Sequence, residues 1–120
     1  MTFWGLMNNW SETELAFRCE RLSVRLDRLA QNFLQMAQLS QGRENADRVL
    51  AIVQESKSFL ELTAIDLDVD SAFELAQMQR QLSRWHLHWG EIWADGTFQE
   101  IAPLMAVWVE QVRGFAGVLV

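Results

Sequence analysis

The chain has 120 residues and a mass of 13.9 kDa, which is one ordinary domain and too little for two. Half of the residues are hydrophobic and 22% are charged, a balance that excludes a disordered or collagen-like chain and demands a packed core. The net charge of −6 disfavours general binding to nucleic acid or to an anionic membrane.

The charge is unevenly placed. Residues 1–57 hold seven bases and seven acids, whereas 58–120 hold three bases, Arg80, Arg84 and Arg113, against nine acids. Cys19 is the single cysteine and has no partner for an internal disulfide, and residues 1–10 lack the basic start and apolar run of a signal peptide. These features predict a cytoplasmic setting. Residues 101–120 are the most apolar stretch, but Pro103, Glu110 and Arg113 interrupt it, so no membrane span is expected.

Read in chain order, residues 1–10 form an apolar arm. Ser11 and Glu14 then have the spacing of a capping box, with Trp10 and Leu15 placed as a hydrophobic staple, and the first helix is predicted to start at Glu12. Leu15, Cys19, Leu22, Leu26, Leu29, Phe33 and Met36 recur at alternating steps of four and three, the heptad pattern of a helix packed lengthwise. Gly42 is a suitable stop, which makes this helix about 29 residues and about 43 Å long.

A second helix is predicted over 44–62, antiparallel to the first because the link is short, with Ala46, Val49, Leu50, Val53 and Leu60 on one face. A third runs from a capping box at Ser71/Glu74 to Trp93, and a fourth follows the turn at 94–96 and a third box at Thr97/Glu100. Pro103 lies beyond the first turn of that last helix, so it either kinks the helix or marks its true start. The apolar tail, 114–120, is expected to fold back on the domain. The expectation is a single all-α domain over 1–120: an antiparallel four-helix bundle with a long first helix and a Pro-interrupted last helix. Such a helix leaves part of its heptad seam uncovered, which predicts a homodimer.

Three groups of residues are candidate sites. Arg18, Arg21, Arg25 and Arg28 follow one another at steps of three, four and three beside the seam of the first helix. This strip suits an acidic protein partner, against the simpler reading of a flank paired with neighbouring acids. Met78, Leu82, Trp85, Trp89, Ile92 and Trp93 fall within an arc of about 100° on a helical wheel, a core face or else an interface or pocket for a flat apolar ligand or tetrapyrrole. Asp66, Asp68 and Asp70 alternate like the start of a calcium loop, but Ser71 and Gln77 stand where that loop needs glycine and glutamate, so the acids are read as favouring the start of the third helix.

Other residues carry less. His86 and His88 fall about 160° apart on a helix, too far to share one ion. Cys19, on the seam, is read as a small buried hydrophobe. No catalytic constellation, metal site or cofactor is expected. The chain reads as a non-enzymatic helical module that binds itself and an unidentified protein, the alternative being a binder of a flat apolar ligand at the tryptophans.

Overall fold

The computed structural model describes the backbone of residues 11–119 and the side chains of 11–115, and within these limits the protein is entirely helical. The apolar arm and the staple through Trp10 lie outside the described residues. Ser11 caps the first helix, α1 (Glu12–Cys19), through the expected reciprocal box: its hydroxyl accepts from the Glu14 amide at 3.1 Å, and its own amide donates to the Glu14 carboxylate at 3.3 Å.

The long first helix is not continuous. Glu20 and Arg21 adopt extended backbone, and a second helix, α2 (Leu22–Leu39), begins in a new direction. Neither glycine nor proline marks this joint, so the cause is tertiary. The bend lets the Phe17 ring stack on Phe59 at 3.7 Å between centroids and lets Arg18 reach Asp66 at 2.7 Å, contacts that replace the hydrogen bonds lost from the ladder. Cys19, the last residue of α1, is consequently exposed rather than buried on a seam. Leu26, Leu29, Phe33 and Met36 keep their expected core positions on α2. With the helix broken, the long uncovered seam that motivated a dimer is absent.

A short turn of 3₁₀ helix (Arg43–Asn45) leads into α3 (Ala46–Ala64). Side-chain hydrogen bonds show α2 and α3 running antiparallel: Asn45 reaches the Leu39 carbonyl at one end, Asn32 the Ser56 hydroxyl in the middle, and Arg25 the Leu62 carbonyl at the other end. The next helix, α4 (Val69–Leu87), starts three residues earlier than its sequence box implies. Its cap is Asp68, whose carboxylate accepts from the Ser71 amide at 3.2 Å, so Ser71 and Glu74 do not form the expected box.

Helix α4 stops at His88, and the short helix α5 (Trp89–Ala94) follows, so the predicted third helix is also two. Gly96 at φ 88° makes the turn, a conformation that suits glycine, and Thr97–Glu100 is 3₁₀ helix with the Thr97 amide bound to Asp95 instead of to a capping box. The last helix, α6 (Ile101–Leu119), carries Pro103 as its third residue, inside the first turn where a missing amide costs no ladder bond. The tail expected from 114 onward continues this helix, and Phe115 packs partly buried against the core.

The described residues therefore contain six α-helices where four were expected. Helix α2 packs against α3 on one side and α6 on the other, and α3 packs in turn against α4. The backbones of α4 and α6, the two outer members of this series, barely approach each other. The core gathers Phe33, Val53, Leu82, Ile101, Met105 and Trp108 from all four. This order is what positions the candidate site.

Candidate functional site

The bend at Glu20–Arg21 disperses the arginine strip. Arg18 leaves from α1 and Arg25 from α2, and both bind one carboxylate oxygen of Asp66, at 2.7 and 2.8 Å. Arg25 is only 4% exposed, and it also donates to the Leu62 carbonyl at 2.8 Å. Arg28 lies over the Phe59 ring at 5.4 Å, while Arg21 is exposed at the joint. Three members of the strip are thus engaged by partners within the molecule.

The break at His88 likewise divides the tryptophan stripe. Met78, Leu82 and Trp85 are buried on α4, where Trp85 stacks with Trp108 at 6.3 Å. On α5, Trp93 is buried and stacks on Phe98 at 4.5 Å, and half-buried Trp89 donates its indole N–H to the Ala46 carbonyl at 3.2 Å. Arg43 completes this corner by binding the Trp93 carbonyl at 2.6 Å and lying 5.0 Å from the Phe98 ring. The three indoles therefore serve packing in two separate places and do not form one wall.

The acids between α3 and α4 are also spent separately. Asp66 takes the two arginines, Asp68 caps α4, and Asp70 lies in its first turn. Hydrogen bonds from Ser71, its hydroxyl first and then its amide, hold the Asp68 carboxyl below the ordinary carboxylate value. His86 turns to Gln54 and Lys57 on α3, each at 3.4 Å, whereas His88 turns to Glu91 at 3.5 Å.

What the fold does create is a groove. Because α4 and α6 meet through side chains, Trp85 against Trp108, a trough of about 460 Å³ opens between them. Met78, Leu104 and Trp108 supply its apolar floor and wall, and Phe73, Arg80 and Arg84 line its α4 side together with Glu74. At Gln81 and Arg84 it joins a second trough of about 450 Å³ that runs past Trp85 and Ile92 towards Glu91, Asp95 and Glu100. The first trough mixes hydrophobic side chains with polar ones and is cationic around Arg80 and Arg84, and the second ends on acids.

Phe73 is 61% exposed at the lip, and it belongs to a longer row. Taking Val69 as the origin of a helical wheel, Phe73, Arg80, Arg84 and Leu87 fall within about 60°, opposite the core arc of Leu75, Met78, Leu82 and Trp85. Val69 is 85% and Leu87 78% exposed. Arg80 and Arg84 stand one turn apart, a repulsive like-charge spacing, and neither has an acidic partner within ion-pair distance among the described residues. Reading the tryptophans as the single apolar face of this helix hid the feature. Its signal was available: α4 carries hydrophobic residues on two opposed arcs, and one helix cannot bury both against the same core.

The class defined by this geometry is an all-α protein with an open interhelical groove. Compared with protein families, curated proteins and solved structures, the chain shows no significant match to any of them.

Proposed function

We propose that the protein is a non-enzymatic interaction module that receives an amphipathic helix of another protein in the groove between α4 and α6. The single observation that carries this reading is the groove itself, floored by Leu104 and by the edges of the buried Met78 and Trp108 side chains, between two helices whose backbones do not close on each other. A partner helix laid there would bury Phe73, the large exposed hydrophobe at the lip, and would complete the bundle that the four longer helices leave open. The arginine strip of α1 and α2 is a weaker docking surface, because Asp66 already holds Arg18 and Arg25. Exposed Cys19 suits a reducing compartment, and the cytoplasm is the proposed setting.

The test is site-specific photo-crosslinking in cells with the probe at Gln77, which lines the groove, and in parallel at Asp47, exposed on α3. A discrete protein adduct at Gln77 that is absent at Asp47 and lost on Phe73→Glu supports the reading. Equal labelling at both positions, or none at Gln77, overturns it.

A further inference from the structure

We infer that the helix received by this groove presents carboxylates to Arg80 and Arg84, so that the partner is an acidic amphipathic segment; this rests on the groove reading above. In a chain of net charge −6, the α4 side of the first trough carries two arginines and one acid, Glu74. Of the other arginines, four are engaged within the molecule, Arg18 and Arg25 on Asp66, Arg28 over Phe59, and Arg43 on the Trp93 carbonyl and the Phe98 ring, whereas Arg21, Arg48 and Arg113 are exposed but line neither trough. Arg80 and Arg84 are exposed, unpaired among the described residues, and set at a spacing where they repel each other.

Their position on the lip fixes the pattern they would read. Phe73 lies on the same arc of α4, so a helix seated on the floor meets apolar side chains with its lower face and the two guanidinium groups with one flank. Carboxylates at one-turn spacing on that flank pair with both arginines and remove their mutual repulsion. A basic flank would add two further cations to the same lip, so discrimination comes from repulsion as well as attraction.

The experiment uses the full chain and two dye-labelled 18-residue amphipathic helical peptides with the same leucine and phenylalanine face, one flanked by glutamate and the other by lysine. Fluorescence anisotropy of the unaltered protein is expected to show about a tenfold preference for the glutamate peptide, weakening as salt is raised. The double variant Arg80→Glu/Arg84→Glu, at exposed positions and checked by circular dichroism, is expected to reverse that preference, and Arg80→Gln/Arg84→Gln to abolish it. Binding of both peptides with equal affinity, unmoved by either variant, overturns the charge inference and leaves the groove reading standing. Binding of neither peptide, with Gln77 crosslinking also lost, overturns both. A dimer in native mass spectrometry that Arg80→Glu/Arg84→Glu dissociates would identify a second copy as the occupant and likewise overturn the inference.

Discussion

The buried Arg25 guanidinium lies 2.8 Å from an Asp66 carboxylate that it shares with Arg18. This one oxygen ties together α1, α2 and the loop before α4, and Arg25 extends the tie to the end of α3 through the Leu62 carbonyl. Its Nε, buried as well, has no hydrogen-bond partner among the described residues, so the charge depends on few contacts. Removing Asp66 strands that charge, and Asp66→Ala is expected to lower stability by about 2 kcal/mol, less than for a fully buried pair because Asp66 is partly exposed. In an Arg25→Met background the same substitution is expected to cost under about 1 kcal/mol, since no buried charge then remains. Urea unfolding of the four members of the cycle measures the difference, and equal costs in both backgrounds would refute the coupling.

Phe17 and Phe59 test whether α1 is an independent unit. Phe59 lies in the middle of the core and Phe17 is the buried residue of an eight-residue helix. Phe59→Ala is expected to cost about 3–5 kcal/mol in global unfolding. Phe17→Ala is expected to release α1 locally, with faster hydrogen exchange confined to residues 12–19 and a smaller change in the global transition. Uniform loss of protection across α2 and α3 would show that α1 is part of the cooperative core.

Gly96 sits at φ 88°, with open space where a β-carbon would go. Gly96→Ala therefore carries a backbone penalty alone, expected at about 1 kcal/mol, and Gly96→Asn a smaller one. A lowered melting midpoint for alanine, partly restored by asparagine, checks this.

The Asp68 cap and the hydrogen-bonded Asp95 carboxylate predict an acid dependence. Hydrogen bonds from Ser71 and from Thr97 hold these two carboxyl groups below their ordinary value of 3.8 in the folded protein. A carboxyl that is more acidic folded than unfolded contributes stability fully above the unfolded value, and that contribution is lost as pH falls through the lowered one. Stability is thus expected to decline below about pH 4, and Asp68→Ala to flatten part of that decline while lowering the plateau at neutral pH. Thermal melts from pH 7 to pH 2.5 read both changes, and parallel curves for the variant and the unaltered protein would exclude the cap as their source.

Where a signal was local, the sequence carried it. The Ser11/Glu14 box was legible because both partners lie within one turn, and the core positions of α2 were legible because helical periodicity needs no knowledge of neighbours. Local reading failed where another residue, near or far, competed for the same role. Ser71 had the spacing of a cap, yet Asp68 took the role three residues earlier. The joint at Glu20–Arg21 has no helix breaker in its letters and follows from Phe59 and Asp66, which lie about forty residues away.

The same division separates composition from site. Helical class, core content and the acidic second half were determined by the residues alone, since each is a sum or a period along the chain. The fate of each arginine and tryptophan was decided only when the helices packed, because exposure is a property of what lies opposite. Arg25 became internal and Arg80 remained unpaired among the described residues through the order in which α4, α3, α2 and α6 lie side by side, and that order left the groove open where its two ends failed to meet.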